Sequence, residues 1–258
     1  MKLFNFGRKK TFPQRPYGWI PDKPDPRDFA YKLRIPRAVP EDTGRGHINK
    51  ISFRYDQGNL GSCVGNGVVE GFRGTLITNN QPDIELSRLF AYYIARQDKQ
   101  NDTGAMIRDA FKAINQYGIC RELLWPYIIS QFNINPSDAA WKDALDHQSI
   151  RYESVLQKKE YIQDAIVAGY PVVYGKNVYE SFESPEVAKT GIVPYPHRCS
   201  EQFLGGHCMV IFDYDKNGTV ELNSWGADWG QGGVCQVPWK YVLSSKLCND
   251  FWVFYQTE

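Results

Sequence analysis

Between Val64 and Ile77 the apolar positions Val64, Val68, Phe72 and Leu76 recur at the spacing of one helix face, which predicts a helix. Gly65, Gly67, Gly71 and Gly74 share that stretch. Each costs about 1 kcal/mol relative to alanine in a helix, so this helix is expected to be buried, with other backbones packed close. A second helix is predicted from Ser87, an N-cap residue, through Arg96. A third runs from about Ala105 to Tyr117, with Met106, Ala110, Phe111 and Ile114 on one face and Gly118 as its stop. Pro136-Ser137-Asp138 opens a short fourth around Trp141 and Leu145, and a fifth is expected near Lys159 to Ala168, ended by Gly169.

Beyond it the pattern turns to strands. Tyr170 to Tyr174 is a β-branched run. Cys208 to Tyr214 and Thr219 to Asn223 flank Asp215-Lys216-Asn217-Gly218, a hairpin signal. Gly233 to Val237 and Asp250 to Phe254 are further strands. Helices followed by antiparallel strands make an α+β pattern. It divides the chain into an arm over 1–50, a mainly helical lobe over 51–145 and an antiparallel β lobe over 146–258.

The arm is set apart by its prolines, Pro13, Pro16, Pro21, Pro24, Pro26, Pro36 and Pro40, which favour extended backbone over helix. Tyr17, Trp19, Ile20, Phe29, Tyr31 and Ile35 are expected to anchor it on the folded body, since a disordered tail carries fewer large apolar groups. It is long and aromatic enough to lie along a cleft and block it.

Composition narrows the class. At 258 residues, 42% hydrophobic and 23% charged, the chain is an ordinary globular protein with room for a sizeable core. A net charge of +1 and the lack of a basic run interleaved with aromatics argue against nucleic acid as a partner. No segment is apolar enough to span a bilayer, and Met1 to Lys10 lacks the apolar run of a signal peptide. Six cysteines in a chain this long make no disulfide scaffold, and no CxxC pair indicates zinc. Free thiols and a cytoplasmic, reducing location are expected.

One of those thiols is placed for chemistry. Asp56-Gln57-Gly58-Asn59-Leu60-Gly61-Ser62-Cys63 is a glycine-rich turn that delivers Cys63 to a helix start, where unpaired N–H groups and the helix dipole favour a thiolate. The Gln57 amide upstream is suited to binding the oxygen of a carbonyl under attack. A nucleophilic thiol needs a base, and the base an orienting partner. Of His47, His147, His197 and His207, the last enters a strand as Gly205-Gly206-His207, and a hairpin places Asn223 within its reach. Cys208, next along that strand, points to the opposite face and belongs to the core. Cys120, Cys235 and Cys248 read as buried thiols. His197-Arg198-Cys199 matches no zinc spacing, and Asp213 and Asp215 are assigned to the hairpin turn rather than to calcium. No metal or cofactor is expected.

The order Gln57, Gly61-Ser62-Cys63, His207, then Asn223-Ser224-Trp225-Gly226 and Trp229-Gly230 resembles the papain-like cysteine peptidases. The resemblance covers residues 56 to about 240 and implies a two-lobe fold with a cleft. It implies Cys63 as nucleophile, paired as a thiolate with His207 imidazolium and working through an acyl-enzyme. Asn223 would orient His207, Trp225 would shield their bond, and Gln57 would complete an oxyanion hole. Gly104 would hold substrate backbone, and the partner would be a peptide or protein substrate. The family's disulfide near the nucleophile has no counterpart, since Leu60 and Asp102 stand at its two positions, and Val64 replaces the usual aromatic after the nucleophile. Tyr17 to Asp28 looks like the short leader of the xylellain-like bacterial and phage subgroup rather than a long helical propeptide. Two other functions fit the same residues: a catalytically inactive papain-like binding protein, against which the complete quartet speaks, and a thiol acyltransferase of transglutaminase type, which normally ends in aspartate rather than Asn223.

Overall fold

A computed structural model describes residues 15–33 and 39–257. The expected anchor Ile35, the prolines Pro13 and Pro36, and Met1 to Lys10 lie outside the described residues.

In chain order the elements are β1 (Trp19–Ile20), α1 (Cys63–Thr78), α2 (Arg88–Ala95), β2 (Ala105–Met106), α3 (Ile107–Tyr117), α4 (Asp138–Ala144) and β3 (Ser149–Ser154). There follow α5 (Lys159–Val167), β4 (Val172–Tyr179), α6 (Pro185–Thr190), β5 (Phe203–Tyr214), β6 (Gly218–Leu222), β7 (Val234–Pro238), α7 (Trp239–Val242) and β8 (Cys248–Thr257). The six strands of the main sheet lie in the order β3-β8-β4-β5-β6-β7, every neighbour antiparallel.

Helix α1 lies between two layers, and its glycines face both of them. A Cβ on Gly65 would stand 2.9 Å from the Arg88 carbonyl oxygen of α2. One on Gly67 would stand 2.7 Å from the Cys208 sulfur of β5, and one on Gly74 2.6 Å from the Phe212 ring. The glycines cost helix propensity and return close packing of helix on helix and helix on sheet. One apolar cluster fills the space around α1, joining Val64, Val68 and Phe72 to Phe90, Phe111, Trp252 and Phe254. A second lies on the other side of the sheet, from Ile162 and Ile166 of α5 through Tyr174, Met209 and Ile211 to Trp239.

The local signals act as their chemistry predicts. Ser87 accepts from the Phe90 N–H to start α2, and Ser137 from the Ala140 N–H to start α4. Gly118, at φ 75°, ends α3.

Three expectations need correction. The helix expected from Ala105 begins at Ile107, because Ala105 and Met106 pair with arm residues Trp19 and Ile20 in a parallel ladder instead. Ile20 and Phe29 do not anchor the arm, being 40% and 63% exposed, whereas Trp19 and Tyr31 are buried. Asp215 does serve the hairpin turn, accepting from the Asn217 and Gly218 N–H groups. Asp213 does not: its buried carboxylate receives the N–H groups of His47 and Ile48 and faces the His47 Nδ1 at 2.9 Å. Among the described residues no helix is long and apolar enough to cross a membrane.

Candidate active site

Cys63 is the first residue of α1, fully buried, with its sulfur among the backbone N–H groups of Cys63, Val64, Gly18 and Cys208. The turn before it is held by side chains from the helical lobe. Ser62 Oγ meets the Tyr127 hydroxyl at 2.5 Å, and that hydroxyl donates to the Gln57 carbonyl at 2.9 Å. Arg88 stands between the rings of Tyr55 and Tyr127, 4.2 and 4.0 Å from their centres, and donates to the Asp56 carbonyl. Asp102 accepts from the Gly61 N–H at 2.9 Å and from the Tyr92 hydroxyl, which in turn accepts from the Gly104 N–H at 3.1 Å. A carboxylate thus joins the two turns where the resemblance places a disulfide.

His207 approaches from β5. Its Nε2 lies 2.8 Å from Asn223 Oδ1, and both residues are fully buried. Since Oδ1 accepts, Nε2 carries the hydrogen, and Nδ1 is the nitrogen left with a lone pair and no hydrogen-bond partner. The Cys208 N–H, one residue beyond His207, is among the donors at the Cys63 sulfur, which sets β5 against the start of α1. Trp225 lies over the imidazole, its ring centre 5.1 Å away, and is itself enclosed by Phe182 and Trp229. Gln57 is oriented at both ends. Its Oε1 accepts from Ser224 Oγ at 2.8 Å, and its Nε2 donates to the Leu60 carbonyl at 2.9 Å and the Pro16 carbonyl at 3.0 Å.

Pro16 belongs to the arm, which crosses directly over these groups. Arg15 lies 4.3 Å over the Trp225 ring, and the Tyr17 ring meets His207 edge-on at 5.8 Å while its hydroxyl donates to Glu183. Gly18 lies so close to Gly61 that a Cβ would overlap the Gly61 carbonyl oxygen. The Gly18 carbonyl accepts from the Ala105 N–H at 2.8 Å. Gly104, at φ 77°, lines the same channel, and a Cβ there would overlap the Gly18 carbonyl.

Burial under the arm decides the protonation of the pair. It pushes the Cys63 thiol up to about 11 against the pull of the backbone donors. It pushes His207 down to about 3 against the Asn223 hydrogen bond, assisted by the positive charges of Lys176 and Arg15. With the arm in place burial disfavours the charged form of both groups.

Several residues that shape the site carried no signal in the sequence. Lys176, paired in register with His207, is fully buried with its Nζ 2.8 Å from Glu221, which also accepts from Tyr174 and Thr219. Tyr127 and Arg88 act through partners far away in the chain. Among the described residues no three His, Cys, Asp or Glu side chains come together to hold a metal.

The fold and this constellation define a thiol hydrolase of the papain type. The sequence pattern of the family described as papain family cysteine protease matches residues 40–246, and the chain belongs to that family. It is 35% identical to an uncharacterized peptidase C1-like protein of Acanthamoeba polyphaga mimivirus, over 93% of this chain and 86% of that protein. Its structure is similar to that of xylellain, a cysteine protease from Xylella fastidiosa, with a TM-score of 0.88 and 30% identity, covering 97% of this chain and 99% of the other. The proCathepsin B S9 of Trypanosoma congolense shares the fold at a TM-score of 0.76 and 16% identity, over 95% and 87% of the two chains. The chain is a cysteine peptidase that acts on peptide or protein substrates.

Proposed function

We propose that the chain is an endopeptidase with Cys63 as nucleophile and His207 as its base, stored shut by its own arm. The observation that carries this is the buried 2.8 Å bond from His207 to Asn223, which leaves Nδ1 without a hydrogen-bond partner one residue before the β5 N–H that faces Cys63 at the start of α1. With the arm released the Cys63 proton rests on His207 Nδ1, and the thiolate sulfur bonds to the substrate carbonyl carbon. The oxygen takes the electron pair, facing Gln57 Nε2 and the Cys63 N–H. Collapse of this intermediate breaks the C–N bond, the leaving amine takes the proton from His207, and a thioester remains. Water, deprotonated by His207, then hydrolyses it. Asn223 holds the imidazole so that Nδ1 meets the sulfur, and Trp225 keeps water from that bond.

In the closed form the arm competes at each of these positions. The Pro16 carbonyl occupies the Gln57 amide, and Gly18 offers the sulfur an N–H rather than a carbonyl carbon. The arm therefore covers the nucleophile without giving it a bond to cut. Access to substrate requires residues 15–22 to leave, which also returns water to Cys63 and His207 and restores the ion pair.

The full-length protein and its Gly18→Ala variant test this together. A methyl group at residue 18 collides with the Gly61 carbonyl, so the arm is expected to unseat and hydrolysis of peptide coumarylamides to rise at least tenfold. Cys63→Ala in the same background should remove it. Mapping a peptidyl vinyl sulfone to a cysteine other than Cys63 would reject the mechanism. Equal activity with and without the methyl group would make the arm structural. Transfer to an added amine in preference to water would reclassify the enzyme as an acyltransferase.

A further inference from the structure

Arg88 stands where local structure disfavours a cation. It is the first residue of α2, at the positive end of the helix dipole, and it is 9% exposed. The Glu122 carboxylate comes only within 3.7 Å of it, and its Nε has no hydrogen-bond partner among the described residues. The rings of Tyr55 and Tyr127 and the acceptors at its tip hold it instead. From that tip the hydrogen bonds run in one direction. Arg88 Nη1 donates to the Asp56 carbonyl at 3.1 Å and to Asn66 Oδ1 at 3.3 Å. Asn66 Nδ2 donates to the Ser62 carbonyl and to Ser62 Oγ, both at 3.0 Å. Since the Tyr127 hydroxyl gives its hydrogen to the Gln57 carbonyl, Ser62 Oγ gives its own to Tyr127. Asn66 and Ser62 are fully buried.

The carbonyls of Asp56 and Gln57 are thus set by one guanidinium, directly and through three intermediaries. On the opposite side the Gln57 N–H donates to the Ser224 carbonyl at 2.9 Å, and Ser224 Oγ to Gln57 Oε1. Gln57 is clamped between α2 of the helical lobe and the residue after Asn223, and the chain from Arg88 passes through the residue before the nucleophile. A misplacement of about 1 Å at a reacting centre can cost about 10²-fold in rate. We propose that Arg88 is a positioning residue of the oxyanion hole. Through the Asp56 carbonyl and the Asn66–Ser62–Tyr127 chain it fixes Gln57 Nε2 against the oxygen on which charge develops. This rests on the reading of Cys63 as nucleophile. A residue of this kind changes kcat rather than KM, and it matters only while Gln57 is present.

The test uses the full-length chain carrying Gly18→Ala. Adding Arg88→Met leaves an unbranched side chain between the two rings and removes the donors. The kcat on a peptide coumarylamide is expected to fall about ten- to hundredfold, with KM within about twofold. Arg88→Lys, which keeps a cationic donor there, should recover at least fivefold over methionine. In a Gln57→Ala background Arg88→Met should cost less than about threefold, because its route to the oxygen is gone. Alkylation of Cys63 by iodoacetamide, which forms no oxyanion, should keep its rate in every variant. Equal loss with and without Gln57, a parallel loss of alkylation, or an unchanged kcat would each overturn the proposal. If circular dichroism shows Arg88→Met unfolded, Tyr127→Phe, which deletes only the last donor of the chain, takes its place. A fall in kcat that disappears without Gln57 then supports the proposal, and an additive fall overturns it. Alkylation at a cysteine other than Cys63, or no hydrolysis by the Gly18→Ala chain, would reject the nucleophile reading and the proposal with it. Hydrolysis through Cys63 without coupling between Arg88 and Gln57 would reject the proposal alone.

Discussion

Gln57 illustrates how much one side chain is asked to do. Its amide is fixed by Ser224 at one end and by Leu60 at the other, so its second N–H points into the cleft without further ordering. Removing such a donor costs about 10²–10³ in kcat. Gln57→Ala, measured in the arm-released form, should lose activity on that scale with little change in KM. Lys176 works at a distance. Its charge disfavours imidazolium at His207, and its own burial is offset by Glu221. Replacing it by methionine leaves the Glu221 carboxylate buried without its cation, for an expected loss of about 3–5 kcal/mol in urea unfolding. The double change with Glu221→Leu should recover most of this, because the uncompensated charge is the cost. The sequence displayed Cys63, His207 and Asn223 through their spacing and flanking residues. It did not display Lys176 or Asp250, since nothing local marks a charged residue whose partner arrives from another strand or turn.

At the scale of elements, legibility followed the range of the interactions that make each one. Helix α1 carries its own periodicity and helices α2 and α4 their own caps, and the chain folds as those signals state. The strand Ala105–Met106 reads as the first turn of a helix because its hydrogen-bond partner lies in the arm. Helix α6 went unseen although its signals are present: Ser184 caps it, Pro185 opens it and Gly191 closes it at φ 68°. Its six residues were too few to show a period. The glycines of α1 make a sharper point. A Gly67→Ala change gains helix propensity yet drives a methyl group to 2.7 Å from Cys208. Overpacking should prevail, with a net loss of about 1–3 kcal/mol, and Cys208→Ala in the same chain should return most of it.

Across the whole molecule, the arm, the helical lobe and the sheet meet at Asp22. Its carboxylate accepts from the Arg108 N–H of α3 and the Trp252 indole of β8, beside Asp250. Burial, then the Asp250 charge, push Asp22 up to about 7 in the docked arm. In a free arm it titrates near 3.8. The docked state therefore binds the proton more tightly. This contribution to docking is complete below about pH 4 and is lost as pH rises through 7. His207 acts in the opposite direction, since its docked value is depressed and protonation of the free form favours release on acidification. Comparing the full-length protein with Asp22→Asn isolates the first effect. Asparagine copies the protonated acid, so the wild type should be about tenfold or more active than the variant at pH 7.5, and the two should converge near pH 4. A ratio that stays constant over that range would show that Asp22 does not control docking.

The carboxylate that ties Gly61 to Tyr92 has a further consequence for how this enzyme is handled. A thiol nucleophile must be kept reduced, and a cleft wall closed by a disulfide is threatened by the same dithiothreitol that protects the sulfur. Here the wall is closed by Asp102, and all six cysteines are free. Reductant can be raised to whatever level Cys63 requires without loosening the turn that carries it, so protection of the nucleophile and integrity of its scaffold are chemically uncoupled.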